Sequence, residues 1–190
     1  MMDSDRLKSI VAFIQAAEQL KDTLRTGITA QGRPESTAEH SWRLCLLVMM
    51  FNKELEGADQ LRLLKLCIVH DLGEAISGDV PATRQNPNDN KAERERCDLK
   101  TLCRDLPDDL QAEIMGLWDE YDAAATNEAT LVKGFDKIET MLQHLIGKNA
   151  PDFDFEFNLT YGLETTNRVP LLRQIRTLVD DATKMQIAKT

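Results

Sequence analysis

The middle of the chain reads Leu66-Cys67-Ile68-Val69-His70-Asp71-Leu72-Gly73-Glu74-Ala75-Ile76. Most of this helix-forming run is apolar, yet it contains an imidazole and a carboxylate side by side, at His70 and Asp71. Burying such groups without a partner costs on the order of 2 to 7 kcal/mol each, so each needs a hydrogen bond, an opposite charge or a metal ion. A divalent cation would satisfy both groups at once.

Two further candidate ligands stand in similarly apolar surroundings. His40 opens an apolar stretch, and Asp136 interrupts the helical pattern of residues 131–138. With His70 and Asp71 they form a set of two imidazoles and two carboxylates on three predicted helices. Such a set suits Mn, Fe, Co, Ni or Zn better than Ca or Mg, which prefer oxygen ligands alone. One such residue alone is more often a hydrogen-bonded core residue, but four of them, two adjacent, favour a metal site.

In this order the four residues resemble the H…HD…D signature of the HD-domain metal-dependent phosphohydrolases. The surrounding segments 34–41 and 70–79, which read PESTAEHS and HDLGEAISGD, resemble the branch that contains the bacterial 5'-deoxynucleotidases. The resemblance covers residues from about 25 to 136 and is only loose beyond about residue 150. It implies an all-α HD-domain helical bundle and one divalent transition metal ion (Mn, Co, Ni, Fe or Zn).

The hydrophobic pattern of the chain also predicts an all-α fold. Apolar residues recur at the helical spacing of three and four in 5–26, 60–78, 91–106, 107–121, 126–148 and 170–188. Ser36 and Glu39 form a capping-box pattern for a further helix through about Leu55, apolar nearly all round and therefore expected to be central. Residues 153–157, where Phe alternates with polar residues, predict a docked loop.

Composition limits the classes of function. At 190 residues the chain fits a single domain over 1–190, with its motif-bearing region at about 25–136. Its net charge of −9 argues against nucleic acid or an anionic membrane as a partner. The four cysteines lack CxxC spacing and are expected to be free thiols. With no signal pattern and no 18-residue apolar run, we expect a soluble, cytoplasmic protein.

Glu74 and Asp79 are the candidate catalytic residues. Glu74 lies four residues after His70 and three after Asp71, so a continuous helix would place all three on one face. There a carboxylate can act as general acid or base in hydrolysis; the alternative is a solvated helix residue. Asp79 follows the predicted helix end, where a turn-forming role is the alternative. The resemblance implies that both positions belong to the active site.

An acidic protein that acts on a phosphate needs positive charge at the site. Arg25, expected at the end of the first helix, is the leading phosphate ligand because a guanidinium binds phosphate oxygens in a bidentate manner. The resemblance also implies an arginine of the substrate pocket at this position. A well-known member of the branch has an aromatic residue directly after this arginine, whereas Thr26 follows here. Its base preference therefore does not carry over to this chain.

Four other polar or aromatic residues are interpreted as lying outside the site. Arg33 and Lys137 are weaker phosphate candidates and are expected to be solvated charges. Trp42 is expected in the core, and His144 is expected to be an ordinary surface residue.

These observations predict a metal-dependent phosphomonoesterase that hydrolyses the 5'-phosphate of (deoxy)nucleoside monophosphates. His40, His70, Asp71 and Asp136 would hold the metal ion. The substrate is then a small nucleotide, and a homodimer would agree with the resemblance. The physiological metal, the base and the sugar are left open.

Two alternatives remain. One is an HD-type nucleotide phosphodiesterase or triphosphohydrolase. Cyclic-dinucleotide phosphodiesterases of the group typically have Ile-Gly-Lys after the doublet, whereas this chain has Leu72-Gly73-Glu74. Guanosine-tetraphosphate hydrolases carry a Glu-Asp pair there, which is also missing. The other alternative is a non-catalytic nucleotide-sensing module, although such modules usually lose the metal ligands that this chain retains.

Overall fold

The computed structural model describes residues 3–84 and 90–189. In these ranges it consists of α-helices, two short 3-10 turns and one two-stranded antiparallel sheet. The helices are α1 (Ser4–Ala17), α2 (Thr37–Met50), α3 (Gln60–Val69), α4 (Glu74–Ser77), α5 (Lys91–Leu102), α6 (Asp108–Ala123), α7 (Asn127–Ile146), α8 (Glu156–Thr160), α9 (Leu163–Asn167) and α10 (Pro170–Ile187). The strands are β1 (Leu24–Ile28) and β2 (Pro34–Ser36), and the 3-10 turns are Glu18–Lys21 and Ala82–Arg84. The all-α prediction is confirmed.

Helix α7 forms the centre of the fold. Thr126 caps its first turn by accepting a hydrogen bond from the backbone N–H of Ala129 at 3.1 Å. The helix packs against α2, α3, α6, α9, α10 and β1. Most apolar side chains in the first two thirds of the helix are buried, among them Val132, Phe135 and Ile138 at 0% exposure. A polar group on α7 is therefore placed in the interior.

The first predicted helix ends earlier than expected. α1 stops at Ala17, a 3-10 turn follows, and residues 24–28 form β1, which pairs with β2. The segment Arg25-Thr26-Gly27-Ile28 includes a glycine and two β-branched residues, which favour a strand over a helix interior. Arg25 consequently lies on a strand, and its expected position at a helix end is wrong.

The helix with the His-Asp doublet is also interrupted. α3 ends at Val69, residues 70–73 form turns, and α4 begins at Glu74, whereas one helix was predicted over 60–78. Asp59 caps α3 as predicted, accepting from the N–H of Arg62 at 3.0 Å. A Cβ at Gly73 would lie 2.5 Å from the carbonyl oxygen of Glu95, so glycine permits the close approach of α5. His70, Asp71 and Glu74 are therefore not part of one continuous helix, contrary to the prediction.

Helix α2 begins as predicted but is less central than expected. Both hydrogen bonds of the capping box form: Ser36 Oγ accepts from the N–H of Glu39 at 3.3 Å, and Glu39 Oε2 from that of Ser36 at 2.9 Å. The helix ends at Met50, and Trp42 is 65% exposed, so the expected core position of Trp42 is wrong. One face of α2 packs inward while the opposite face is in contact with solvent.

The segment of residues 151–161, here called the 151–161 segment, is docked by a buried arginine. Residues 151–155 form a loop, but Glu156–Thr160 form α8, so the loop prediction is correct only for the first part. Arg176 of α10 is 2% exposed and donates to the carbonyl oxygens of Asn158 at 2.6 Å and Tyr161 at 2.7 Å. Its charge is balanced by Asp180 at 2.6 Å.

Three smaller predictions concern thiols, a loop and membrane spans. The four cysteines are free, as predicted; Cys67 and Cys103 are buried, and Cys97 is exposed. Most of the polar loop predicted over residues 83–90 lies outside the described residues. No helix within 3–84 or 90–189 is long and apolar enough to cross a membrane.

Candidate active site

The four predicted metal ligands come from elements that the fold packs together. α2 provides His40 directly after Glu39 of its capping box, α3 ends directly before His70, and Asp71 follows in the turn toward α4. Asp136 comes from the middle of α7, which packs against both α2 and α3. These four residues, here called the His–Asp cluster, are brought together by the structure.

The facing atoms of the His–Asp cluster have the spacing of ligands around one ion. The Nε2 atoms of His40 and His70 are 3.3 Å apart. Nε2 of His40 lies 3.2 Å from Oδ1 of Asp136, and Nε2 of His70 lies 3.0 Å from Oδ2 of Asp71. Two atoms that bind one ion at about 2.1 Å stand roughly 3.0 to 3.4 Å apart in octahedral or tetrahedral geometry. Ligand atoms of His40, His70 and Asp71 all lie within 4.8 Å of one another, which suits a divalent ion, and Asp136 joins this group through its contact with His40.

Hydrogen bonds behind the imidazoles orient both Nε2 atoms as acceptors. Nδ1 of His70 lies 2.8 Å from the carbonyl oxygen of Cys67, which can only accept, so Nδ1 carries the hydrogen. Nδ1 of His40 donates to the carboxylate of Glu139 in the same way. The two Nε2 lone pairs then face carboxylate oxygens that are acceptors too. When both rings are neutral, the four facing atoms are all acceptors, an arrangement that a bound cation satisfies.

The electrostatics of the cluster also favour positive charge. Burial lowers the pKa of His40, but Glu139 and Asp136 outweigh this effect and raise it to about 9. Burial raises the pKa of Asp71, yet the contact with His70 and the charge of Arg25 hold it below its usual value. The cluster therefore stabilises carboxylates in their ionised form and attracts a cation.

Asp136 is held in place by two neighbours. The Tyr121 hydroxyl donates to its Oδ2 at 3.0 Å, and Nζ of Lys137 donates to the same atom at 2.9 Å. Oδ1 is thereby left to face His40. The expectation that Lys137 is a solvated charge is wrong, since its side chain is only 29% exposed and is ion-paired. Nothing in the sequence pointed to Tyr121, which reaches Asp136 from α6.

A second acidic group lies behind His40. Glu139 and Glu35 are 1% and 4% exposed, and one oxygen of each lies within 4.8 Å of a His40 nitrogen. The guanidinium of Arg43 donates from Nε to Glu139 at 2.5 Å, so a cation of the chain already partners this carboxylate. The sequence analysis missed Glu139, although its place three residues after Asp136 puts it on the same helix face.

Arg25 reaches the His–Asp cluster from β1. Its Nη1 donates to Oδ2 of Asp71 at 3.2 Å and its Nη2 to Oγ1 of Thr140 at 3.2 Å. Burial lowers the pKa of Arg25, but Asp71 and Asp136 more than compensate and raise it above its usual value. The strand thus places a permanently charged group at the cluster. The predicted position of Arg25 at a helix end did not indicate this contact.

Glu74 is buried beside the cluster. It is 3% exposed, and its Oε2 accepts from the hydroxyl of Thr37 at 3.1 Å. Burial raises the pKa of Glu74 to about 9, and the charges of Asp71 and Asp79 act in the same direction. The interpretation as a solvated helix residue is therefore wrong. A carboxyl group in this environment can exchange a proton near neutral pH.

Asp79 lies on the same side of the cluster. α4 ends at Ser77, and Gly78 has a φ of 81°, which turns the chain back so that Asp79 lines the cavity described below. Burial raises the pKa of Asp79, while Arg25 opposes this shift. The structure therefore brings Glu74 and Asp79 to one site even though they do not share a helix.

A cavity of about 630 Å³ opens over the cluster. This volume falls in the usual range of small-molecule sites, roughly 300 to 1,000 Å³. Its cationic lining residues are Arg25, Arg84, Lys91 and Lys137. The predicted residues Asp71, Glu74, Asp79 and Asp136 also line it. Although the whole chain has a net charge of −9, these four cationic side chains can pair with a small anion that enters the cavity.

Two further interpretations of single residues are tested by the structure. Arg33 lies outside this cavity and pairs with Glu39 at 2.5 Å on the surface, as expected for a solvated charge. The expected surface position of His144 is wrong: the residue is 6% exposed, and its Nδ1 lies 2.7 Å from Oδ1 of Asn158. The 151–161 segment covers the face of α7 that contains His144, which the sequence predicts to be polar and exposed.

Comparison with known proteins identifies the family. A model of the HD domain matches residues 17–176. The chain belongs to the HD-domain family. The human 5'-deoxynucleotidase HDDC2 is 34% identical over 138 residues, which is 72% of this chain and 67% of that relative. The 5'-deoxynucleotidase hdd1 of Schizosaccharomyces pombe is 36% identical over 151 residues, which is 75% of this chain and 74% of that protein.

Two solved structures share the fold. A predicted metal-dependent phosphohydrolase from Magnetospirillum magnetotacticum matches with a TM-score of 0.80 at 26% identity over 97% of each chain. A conserved hypothetical protein from Pyrococcus furiosus matches with a TM-score of 0.69 at 30% identity, over 92% of this chain and 99% of that chain. The family prediction and the enzyme class it implies, an HD phosphohydrolase, are confirmed. The extent of the domain over 1–190 stays a prediction.

Proposed function

We propose that this HD-domain chain is a metal-dependent phosphomonoesterase that removes the 5'-phosphate from nucleoside monophosphates, with deoxynucleotides as its preferred class. The observation that carries the proposal is the convergence of four acceptor atoms, 3.0 to 3.3 Å from their neighbours, at a cavity that also contains Arg25 and Glu74. The similarity to curated 5'-deoxynucleotidases supports the choice of substrate.

In this proposal His40, His70, Asp71 and Asp136 hold one divalent transition metal ion, with Mn, Co, Ni, Fe and Zn as candidates. When bound, the ion supplies positive charge to the phosphoryl oxygens and acidifies water for the attack on phosphorus. The chain fixes the two imidazoles through their Nδ1 atoms, and Tyr121 orients the Asp136 carboxylate. Such outer contacts typically change metal affinity or activity by about 10- to 100-fold when removed.

Glu74 moves the proton in the proposed reaction. Its Oε2 accepts from Thr37, and the carboxyl group, whose raised pKa keeps it protonated near neutral pH, delivers a proton to the leaving oxygen. Asp79 lines the cavity just after the end of α4 and holds the sugar end of the substrate. Both roles extend the interpretation of these residues made from the sequence.

Arg25 and Lys137 bind the phosphate. Each touches one carboxylate of the His–Asp cluster, Asp71 for Arg25 at 3.2 Å and Asp136 for Lys137 at 2.9 Å. Their charges therefore lie directly beside the place where phosphoryl oxygens would bind. Cations in that position stabilise the charge that these oxygens carry during in-line attack.

The test of the function is a phosphate-release screen. Chelated protein is reloaded with Mn, Co, Ni, Zn or Mg and incubated with mono-, di- and triphosphates of deoxy- and ribonucleosides and with cyclic dinucleotides. We expect inorganic phosphate from deoxynucleoside monophosphates. Release of triphosphate, or cleavage of the diesters alone, would instead identify the phosphodiesterase or triphosphohydrolase alternative. Binding without turnover under every metal would identify a nucleotide-sensing module.

Arg25→Ala is expected to lower kcat/KM by roughly 30- to 150-fold. The variant loses a charge-assisted bidentate contact of about 2 to 3 kcal/mol. Arg25→Lys should recover only part of the loss, because an ammonium lacks the planar fork. The measurement compares a deoxynucleoside monophosphate with a phosphate ester that has no base, since a phosphate ligand must affect both about equally.

The matched control for Arg25 is Arg33→Ala. Arg33 is an exposed arginine of the same hairpin that pairs with Glu39 outside the cavity. Its removal should leave kcat/KM unchanged. If Arg25→Ala lowers kcat/KM only with the nucleotide, Arg25 contacts the base or sugar and not the phosphate. If kcat/KM is unchanged with both substrates, Arg25 has no role in substrate binding.

A further inference from the structure

The cavity has an aromatic wall that the metal and phosphate chemistry does not use. Phe153, Phe157 and Tyr161 of the 151–161 segment line it, and all three are half-buried. These residues, here called the aromatic wall, are the Phe and Tyr side chains found among the described lining residues. Half-exposed rings in a cavity are available for contact with a flat ligand.

The aromatic wall is held rigidly. Ring centroids of Phe153 and His144 are 5.0 Å apart in an edge contact, and those of Phe157 and Tyr161 are 4.9 Å apart. His144 is in turn fixed by the side chain of Asn158 at 2.7 Å. The carbonyl oxygens of Asn158 and Tyr161 accept from the buried Arg176. The rings of the wall are therefore positioned by contacts within the chain itself, which favours binding because little ordering is needed.

The two ends of the wall differ in charge. Tyr161 lies at the cationic end, with Nζ of Lys137 located 5.2 Å from its ring centroid. At the other end Phe153 is flanked by Asp152 and Asp154, which also line the cavity. A phosphate is therefore attracted to the Lys137 end and repelled from the Phe153 end. The uncharged part of a substrate faces Phe153.

We propose that the aromatic wall is the nucleobase subsite, in which the base of a nucleoside monophosphate stacks on Phe153 while its phosphate binds beside Arg25 and Lys137. The proposal deepens the proposed function and rests on it for the identity of the substrate. Base stacking on an aromatic side chain tolerates every base, because each base has a π-face.

The test compares Phe153→Leu with Phe155→Leu. Both substitutions remove an aromatic ring and keep apolar volume, but Phe155 only packs on Phe153, at 4.9 Å between centroids, and does not line the cavity. Each variant is assayed with deoxyadenosine monophosphate and with 2-deoxyribose 5-phosphate, which has the same sugar and phosphate but no base. Circular dichroism verifies the fold.

For Phe153→Leu we expect kcat/KM with deoxyadenosine monophosphate to fall roughly 5- to 30-fold, mainly through KM, which is the lower part of the range for base stacking. Activity toward 2-deoxyribose 5-phosphate should stay within about twofold. Phe153→Trp should retain activity toward the nucleotide. Phe155→Leu should resemble the wild type with both substrates.

Equal losses with both substrates would overturn the proposal, because Phe153 would then only support the fold of the cavity. Unchanged activity with both would overturn it as well. Calorimetric binding of deoxyadenosine monophosphate to the same variants separates this proposal from the proposed function. A wild type that binds but does not hydrolyse this nucleotide, with affinity lost only in Phe153→Leu, contradicts the enzymatic function and supports the base subsite.

Discussion

Asp71→Ala is expected to lose bound metal and to lower turnover by at least about 1,000-fold, because the ion supplies several kcal/mol of stabilisation to the transition state. Asp71 contributes a carboxylate oxygen 3.0 Å from Nε2 of His70, and alanine leaves the remaining ligand atoms without it. Elemental analysis measures the metal per chain, and a phosphate-release assay measures turnover. Helical circular dichroism should be retained, since Asp71 lies in a turn outside the core.

Asp181→Ala is the control for the loss of metal. Asp181 is an exposed carboxylate of α10 that pairs with Lys184 at 3.2 Å, far from the cavity lining. This variant should keep both metal and activity. If the wild-type protein binds no metal after expression in metal-replete medium, the assignment of the His–Asp cluster as a metal site is wrong.

Glu74→Gln is expected to keep the metal and to lower turnover by about 100-fold or more, the usual scale for a positioned proton transfer. Glutamine preserves the shape of the side chain and can still accept the hydrogen bond from Thr37, so only the ionisable group is removed. Steady-state kinetics and elemental analysis on the same preparation separate the two effects.

Glu113→Gln makes the same chemical change at a surface ion pair with Lys65 and should have no effect on turnover. Unchanged turnover in Glu74→Gln, with metal present, would show that the buried carboxyl group has no part in proton transfer. Loss of metal in Glu74→Gln would instead assign Glu74 to metal binding.

The sequence identified the site where local chemistry was anomalous. An imidazole or carboxylate in an apolar helical run must be paired with a hydrogen-bond partner, an opposite charge or a metal ion. The predicted ligands His40, His70, Asp71 and Asp136 could therefore be selected without any knowledge of the fold. Helix starts were likewise predictable where a cap is local, as at Ser36, because capping depends on residues three positions apart.

What the sequence did not reveal depends on distant contacts. Tyr121 and Arg43 look like ordinary helix residues, and only the packing of α6 and α2 against α7 brings them to Asp136 and Glu139. Strand β1 was not predicted because the apolar spacing before it continues a helical pattern. Its strand structure depends on pairing with β2, which begins only at Pro34. Tertiary pairing decided between the two structures.

The same limit applies to the helix ends and to the 151–161 segment. α3 ends at Val69, and in the turn that follows α5 approaches Gly73 closely, a contact that a local pattern does not encode. His144 looks exposed on α7 until Asn158 and Phe153 cover it. The enzyme class was therefore predictable from the motifs, whereas the lining of the cavity required the structure.

The way in which Arg176 anchors the 151–161 segment bears on how this protein family can diversify. Arg176 donates hydrogen bonds to the backbone carbonyl oxygens of Asn158 and Tyr161. These oxygens would be present with any other side chain at the two positions. Side chains on the cavity side of the segment can therefore be exchanged during evolution without releasing its backbone. The residues proposed to hold the metal all precede this segment in the chain, so substitutions in the segment can change the cavity lining and leave the His–Asp cluster in place.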